Sequence, residues 1–249
     1  MPLIGGIDEQ AGGTWLAVHP GIPRVACLLN ARGPLADPAR RRSRGDLSLR
    51  AAAEGREFLT RLAADPDALA AYDPFHLICA TMDSVAALSW PGRADGSYLP
   101  GGPSASQGEP PRTPQPVTPD QGPTVAVREL APGTHLFTNA GHAYPAEPGD
   151  PAAEPKAAHF ADKFGAARPP ADPSLPLPRA WGDWLTLAAG DGLDPADPAA
   201  IIVRHQLPDG RVHGTTSVTL VALAADGVRY DFQPQPGSAD GWYQVPLGG

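Results

Sequence analysis

The sequence has no long apolar run, two cysteines and very little lysine. No apolar stretch approaches the roughly 20 residues that cross a bilayer, and no charged segment followed by an apolar one opens the chain. We therefore expect a cytoplasmic protein. Cys27 and Cys79 each lie in an apolar stretch, where a thiol typically packs as a small buried hydrophobe. The scarcity of lysine among abundant Ala, Gly, Pro, Asp and Arg is typical of a GC-rich bacterial genome.

Several binding signatures are also missing. The net charge of -8 and pI near 5.3 oppose general binding to nucleic acid or to an anionic membrane, because most of the surface would repel a polyanion. The seven histidines show no paired spacing typical of a metal site. No phosphate-binding loop, dinucleotide fingerprint or serine-hydrolase elbow is present. We predict no cofactor, no metal and no identifiable protein partner, while a small-molecule ligand stays possible.

The sequence does contain patterns that predict strands and helices, enough for one domain. Its 249 residues suffice for a single self-folding domain over 1–249. Residues 91–123 are rich in Pro, Gly, Ser and Gln and nearly free of large apolar side chains. Such a segment cannot offset its ordering entropy by burial, so it is predicted to be a disordered or extended insertion.

Turn residues and apolar periodicity predict the elements. Four hairpins are expected, and five helical segments, with Trp15, Trp181 and Trp184 packing in or beside the core. The predicted hairpin strands are 14–18 with 24–29, 75–81 with 85–90, 124–130 with 134–138, and 217–223 with 228–232. The predicted helices are 45–63, 65–71, 156–164, 179–189 and a short one near Asp197.

Three of these strands, at 25–29, 75–79 and 218–223, are apolar on both alternating faces. Hairpins give antiparallel sheets, and antiparallel strands buried on both faces need a packed layer on each side. The pattern therefore predicts an α+β fold in which two mainly antiparallel sheets are stacked between helices, a four-layer αββα sandwich like that of Ntn hydrolases.

The order of several short motifs resembles one family. Each motif is weak alone, and their succession carries the resemblance to the NRDE family, also called transport and Golgi organisation protein 2-like. The motifs are GGID at 5–8, GGTWLA at 12–17, LN at 29–30, RGDL at 44–47, FHLI at 75–78, LAPGTH at 130–135, TNA at 138–140 and HGT at 213–215. The resemblance implies an Ntn-hydrolase-like fold derived from an amide or acyl hydrolase.

The catalytic N-terminus of that family does not appear in this sequence. Family members carry a cysteine after the initiator methionine and then an Asn-Arg-Asp-Glu tetrapeptide, whereas this chain begins Met1-Pro2-Leu3-Ile4. Thr216 also stands where members commonly carry an arginine, and a neutral hydroxyl cannot replace a guanidinium. The resemblance thus predicts that the N-terminal strands are missing and that the chain is inactive as an N-terminal-nucleophile hydrolase.

Two asparagines are the remaining catalytic candidates. Asn30 and Asn139 fall where the resemblance places oxyanion-stabilising or substrate-orienting asparagines at strand ends. An amide N–H can donate to a developing oxyanion. The alternative for each is a turn held by an Asx hydrogen bond.

The sequence leaves open the role of one basic cluster and two further functions for the chain. Arg40, Arg41, Arg42 and Arg44 could bind a phosphate or an acyl-carrier anion, or could form a solvated face. The resemblance also allows a non-catalytic protein that binds or moves haem or an acyl-lipid. A third reading is a truncated chain without stable function, whose unpaired sheet edge would promote aggregation.

Overall fold

A computed structural model describes residues 2–9, 12–92, 125–145, 154–167, 174–237 and 241–248. The helices are α1 Leu47–Glu54, α2 Arg56–Ala63, α3 Pro66–Leu69, α4 Pro155–Ala166, α5 Leu177–Trp181 and α6 Trp184–Ala188. The strands are β1 Leu16–His19, β2 Arg24–Asn30, β3 Phe75–Thr81, β4 Val85–Trp90, β5 Val127–Leu130, β6 Leu136–Thr138, β7 Gly141–Tyr144, β8 Arg204–Gln206, β9 Val212–Gly214, β10 Val218–Ala224, β11 Gly227–Gln233 and β12 Tyr243–Gln244.

The main sheet has five antiparallel strands in the order β1-β2-β3-β4-β5. The hairpins β1–β2 and β3–β4 confirm two of the predicted hairpins, the second with the predicted bounds. Ile4 extends the edge of this sheet, because its backbone N–H and C=O exchange hydrogen bonds with those of Val18 at 3.0 and 2.8 Å.

Helices α1 and α2 cover one face of the main sheet. Helix α1 contacts β1, β2 and β3, and α2 contacts β4 and β5. The strand residues of this face alternate along the chain, as the pleat requires. They join the helices in the largest apolar cluster, which includes Ala17, Ala26, Leu28, Leu47, Ala51, Phe58, Leu59, Phe75, Leu77, Cys79, Leu88 and Trp90.

The helix predicted over 45–63 is two helices in the structure. A 3₁₀ turn, Arg44–Asp46, precedes α1, and Gly55 with φ of 72° separates α1 from α2. Gly55 adopts this conformation without the steric cost that a Cβ would bring. The guanidinium of Arg24 packs against the break and donates to the carbonyl oxygens of Ala52 and Ala53 at 3.1 and 2.8 Å.

The predicted third hairpin is wrong in its pairing. Strand β5 pairs with β4, whereas β6 pairs with β7, whose existence the sequence pattern did not indicate. A row of polar contacts holds the two pairs together. Arg128 of β5 donates to His142 Nδ1, His142 Nε2 lies 3.0 Å from His135 Nδ1, and His135 Nε2 lies 2.7 Å from the carbonyl oxygen of Ala131.

A second sheet, β10-β11-β12, contains the predicted C-terminal hairpin. Strand β10 lies against β2 of the main sheet, and Leu220 of β10 packs with Ala180 and Trp181 of α5. Trp181 Nε1 donates to Asp231 Oδ2 at 2.7 Å, and Arg229 forms a buried ion pair with the same carboxylate. These polar groups are therefore satisfied inside the apolar cluster formed by Ala180, Trp181, Ala188 and Leu220, which we call the second core.

Two of the other predicted helices need correction, while α3 and α4 confirm the segments predicted at 65–71 and 156–164. The helix predicted at 179–189 divides into α5 and α6 at Gly182, where φ is 51°. No helix forms near Asp197. The side chains of Asp194 and Asp197 instead accept hydrogen bonds from Ala196 N and Ala199 N, which closes two Asx turns.

The chain therefore has the predicted α+β fold, with helices and several antiparallel sheets. None of the described helices is long and apolar enough to cross a membrane. Most of the predicted Pro-rich insertion at 91–123 lies outside the described residues, as only 91 and 92 are described. The four-layer stacking and the single-domain reading of 1–249 stay predictions.

Candidate functional site

A pocket of about 330 Å³ opens where the GGTW loop, residues 12–15, meets the arginine-rich segment 41–45. We call it the arginine pocket. Residues 13–15 form one wall and residues 41–45 the other, with Asp8, Leu28 and Asp73 completing the lining. Three arginines, Arg41, Arg42 and Arg44, thus reach the pocket, whereas Arg40 is not among the lining residues. The basic cluster borders a cavity instead of forming only a solvated face.

Two glycines bring the walls of the pocket together. A Cβ placed on Gly13 would lie 2.4 Å from Gly45 Cα, and one placed on Gly45 would lie 2.6 Å from Gly13 Cα. The backbone of Thr14 continues the contact, since its N–H donates to Gly45 O at 3.0 Å and its carbonyl accepts from Ser48 Oγ at 2.6 Å. Only residues without a side chain fit at this crossing.

Asp73 holds one of the arginines in place. This residue is 5% exposed, and its carboxylate accepts from Arg41 Nε at 2.9 Å and from the Ala36 backbone N–H at 3.1 Å. Arg41 also reaches Oδ2 of Asp73 through its terminal nitrogen. A carboxylate held on two sides and largely buried gives a fixed position to the guanidinium that it binds.

The other two arginines are held differently. Arg42 lies over the ring of Tyr72, 5.4 Å from its centroid, with Asp46 Oδ2 3.7 Å from its guanidinium. Arg44 donates to the carbonyl oxygen of Pro74 at 2.6 Å, and no carboxylate of the described residues is within ion-pair distance of it. Burial lowers the pKa of Arg44, Asp73 opposes that shift, and Arg41 adds to it. Of the three arginines in the pocket, Arg44 is therefore the one that has no carboxylate partner among the described residues.

Trp15 differs from its prediction. It lines the arginine pocket and is 45% exposed, whereas Trp181 is buried in the second core as predicted. Trp15 stands just before the first register pair of β1, and its backbone carbonyl accepts from the Leu28 N–H at 2.8 Å. An exposed indole beside arginines offers an apolar surface to a ligand.

The two asparagine candidates lie in contact. Asn139 occupies the turn between β6 and β7, and its Nδ2 donates to the backbone carbonyl of Asn30 at 2.7 Å. Both residues are exposed. The structure thus brings Asn30 and Asn139 together at the end of β2, and their role as oxyanion or substrate-orienting groups stays a prediction.

A histidine and a serine that the sequence analysis missed lie beside this contact. His76 of β3 and Ser89 of β4 are direct partners in the antiparallel pair, and His76 Nδ1 lies 2.8 Å from Ser89 Oγ. A Cβ on Gly141 would lie 3.9 Å from the His76 ring, which places the β6–β7 turn next to it. We call Asn30, His76, Ser89 and Asn139 the strand-end cluster.

The carbonyl oxygen of Pro74 joins the strand-end cluster to the arginine pocket. It accepts hydrogen bonds from Arg44 at 2.6 Å and from the backbone N–H of Ala31 at 3.1 Å. Ala31 follows Asn30, and Pro74 is two residues before His76. The pocket and the cluster therefore share one backbone connection at the end of the main sheet.

Burial favours the neutral form of His76. Desolvation lowers its pKa, and a polar contact with the backbone of Asn139 opposes the shift. That contact falls short of a hydrogen bond, since Nε2 is buried without a partner among the described residues. The neighbouring groups on β2, β4 and the β6–β7 turn, Leu29, Ser89 and Asn139, are uncharged.

We expect His76 to make the fold less stable in mild acid. Its folded pKa lies below the ordinary value of 6.5, so the unfolded chain takes up a proton first, and stability falls as the pH drops from 6.5 towards the folded pKa. The melting temperature should drop more between pH 7.5 and 5.5 in the unmodified protein than in His76→Gln. Equal drops in the two proteins would contradict this assignment.

Cys79 is buried as the sequence predicted, Cys27 is only half-buried, and the two cysteines form no disulfide. Cys27 pairs with Ile78 and Cys79 with Ala26, so their side chains point to opposite faces of the sheet. Although Cys27 as a whole is only half-buried, desolvation of its thiol raises its pKa to about 11, with Cys79 contributing. Burial also raises the pKa of Cys79. Neither thiol is poised to ionise near neutral pH.

No group of three or more His, Cys, Asp or Glu side chains in the described part of the chain is arranged to hold a metal ion. Near the pocket, Asp73 pairs with Arg41 and accepts from the Ala36 N–H, and Asp46 Oδ2 lies 3.7 Å from the guanidinium of Arg42.

Comparison with known families identifies the chain. A model of the family described as Transport and Golgi organisation 2 matches residues 2–164, which is more than half of the sequence. The chain belongs to the Transport and Golgi organisation 2 family. The arginine pocket and the strand-end cluster both lie inside the part that matches this family. No curated protein matches the chain.

Proposed function

We propose that this member of the Transport and Golgi organisation 2 family binds a small organic anion with an apolar part, such as an acyl compound, in the arginine pocket. The observation that carries the proposal is the placement of Arg44. Its guanidinium lines a pocket, is partly desolvated, and is held by a backbone carbonyl without a carboxylate partner in the described structure. A desolvated guanidinium is a strong donor to a carboxylate or phosphate.

The other walls of the arginine pocket support an amphipathic ligand. Trp15 presents an exposed indole, and Leu28, which belongs to the main core, borders the pocket. The volume of about 330 Å³ is near the lower end for small-molecule sites. It would accept an anionic group and the carbons next to it. Haem and acyl-lipids both combine an anionic group with a large apolar part, so both fit this chemistry at their polar end.

Descent from an N-terminal-nucleophile amide or acyl hydrolase is part of the proposal and comes from the family resemblance. The two cysteines of the described chain, Cys27 and Cys79, do not themselves support thiol chemistry. Cys27 and Cys79 lie inside the main sheet with raised pKa values, where a thiolate would be costly. Binding of the acyl compound is the function we assign to the arginine pocket.

Replacing Arg44 by alanine tests the binding site. Octanoate, octanoyl-coenzyme A and haem are titrated separately, with Trp fluorescence and calorimetry as readouts. At least one should bind saturably, and Arg44→Ala should weaken that binding about 10- to 100-fold, since a hydrogen bond to a charged group contributes about 1.5–3 kcal/mol.

Two further variants control this measurement. Arg204→Ala removes the same charge from an exposed strand and should leave the affinity unchanged. Arg44→Lys keeps the charge without the planar fork and should bind with intermediate affinity. A melting curve on each variant separates lost binding from lost folding. If none of the three compounds binds, or if Arg44→Ala and Arg204→Ala bind equally, the proposal is wrong.

A further inference from the structure

The strand-end cluster contains a hydroxyl and an imidazole in the geometry of a nucleophile and its base. Ser89 Oγ and His76 Nδ1 are 2.8 Å apart, within the range that general-base activation of a serine requires. Ser89 is exposed, while His76 is only 7% exposed. The hydroxyl is therefore accessible to a substrate, and the imidazole behind it is shielded from water.

The environment of His76 favours its neutral form. Burial lowers its pKa, so near pH 7 the ring has one nitrogen free to accept a proton. Nδ1 faces the Ser89 hydroxyl, and Nε2 is buried on the other side of the ring. With the ring proton on Nε2, Nδ1 accepts from Ser89, which is the arrangement that a general base needs.

The pairing of the strands fixes both side chains. His76 and Ser89 are register partners in an antiparallel pair whose flanking residues, Phe75 with Trp90 and Leu77 with Leu88, are buried. The buried flanking pairs hold the two backbones in register, so the two side chains stay on the same face of the sheet. Side chains on packed strands are held more firmly than side chains on loops.

Asn139 adds an amide next to the pair. One N–H of its side chain is used on the carbonyl of Asn30, which fixes the turn beside His76. A primary amide has a second N–H. This residue is exposed, so that second donor can face a bound carbonyl group.

We infer that Ser89 and His76 form a nucleophile–base pair that transfers an acyl group from an ester or thioester to Ser89 and then to water. Ser89 Oγ bonds to the acyl carbon while His76 Nδ1 takes the hydroxyl proton. The bond to the leaving alcohol or thiol breaks, and His76 returns the proton to that group. Water then attacks the acyl-serine through the same base and releases the carboxylic acid and Ser89. This inference does not rest on the binding proposed for the arginine pocket.

Labelling with a fluorophosphonate provides the test. Its phosphorus accepts Ser89 Oγ as fluoride leaves, which gives a stable adduct detectable by mass spectrometry of peptides. We expect one adduct on the peptide that contains Ser89. Ser89→Ala should abolish it, and His76→Gln, which keeps a polar amide but removes the base, should slow labelling about 100-fold or more.

The matched control is Ser84→Ala, the same substitution in the turn at the opposite end of the β3–β4 hairpin. It should label like the unmodified protein, and melting curves show whether each variant folds. Hydrolysis of p-nitrophenyl octanoate should follow the same order of rates. The inference is overturned if folded protein gains no adduct, if the adduct is on another residue, or if His76→Gln labels at the unmodified rate. Each of these results would leave Ser89 and His76 as a structural cross-strand hydrogen bond.

Discussion

Replacing Asp231 by alanine is expected to lower the free energy of unfolding by about 3–5 kcal/mol, because it leaves a buried guanidinium without its counter-ion. Asp231 is fully buried and accepts from Trp181 Nε1 at 2.7 Å. The same carboxylate pairs with Arg229, which is 3% exposed. The substitution therefore removes a hydrogen-bond acceptor and a charge from one place in the second core.

Chemical denaturation monitored by tryptophan fluorescence measures this loss. Asp162→Ala, which removes an exposed carboxylate from α4, is the matched control and should change stability by less than about 0.5 kcal/mol. Asp231→Asn keeps an acceptor for Trp181 but not the charge, so its loss should lie between the two. A loss below about 1 kcal/mol for Asp231→Ala would mean that water or the Leu175 carbonyl, which already accepts from Arg229, compensates for the lost carboxylate.

Replacing Phe75 by alanine should cost a similar amount, about 3–5 kcal/mol, because it opens a cavity in the main core. Phe75 is fully buried at the start of β3, and its ring meets that of Tyr72 edge to face with centroids 6.2 Å apart. Its cross-strand partner Trp90 donates from Nε1 to the Tyr72 carbonyl at 3.0 Å. Tyr72 also lies under Arg42 of the arginine pocket, and Phe75 and Trp90 flank the His76–Ser89 pair along β3 and β4.

Thermal and chemical unfolding of Phe75→Ala and Phe75→Leu together measure how much the Phe75 ring stabilises the fold. Leucine retains much of the apolar volume, so Phe75→Leu should lose clearly less stability than Phe75→Ala. Equal losses in the two variants would show that ring geometry, not cavity volume, dominates. Because His76 follows Phe75, folded Phe75→Ala should also label at Ser89 more slowly than the unmodified protein.

The hairpins with tight turns and continuous apolar strands were predictable from the sequence. β3 ends and β4 begins on either side of the predicted Met82-Asp83-Ser84 turn, and β10 and β11 are joined by Ala225-Asp226, next to the Asp-Gly signal. Helix continuity was harder to predict, because Gly55 and Gly182 break their helices by a backbone conformation that periodicity does not reveal. The pairing of β5 also depends on a contact with β4 across the Pro-rich segment, which local pattern does not encode.

The candidate site was predictable only in part. Asn30 and Asn139 lie together, although 109 residues separate them along the chain. The pair of His76 and Ser89 could have been found, since the predicted hairpin places residue 76 opposite 89 once its turn is fixed. The arginine pocket could not, because the approach of residues 13–15 to 41–45 depends on long-range packing.

The contact between Gly13 and Gly45 makes two distant motifs depend on each other sterically. A side chain on either glycine would clash with the backbone of the other. Because the other residue is also glycine, it has no side chain whose removal could make room. A change in either motif therefore cannot be compensated locally at the other. Residues 12–15 (GGTW) and 42–45 (RSRG) should therefore be exchanged together when this site is transplanted into a relative or redesigned for another ligand.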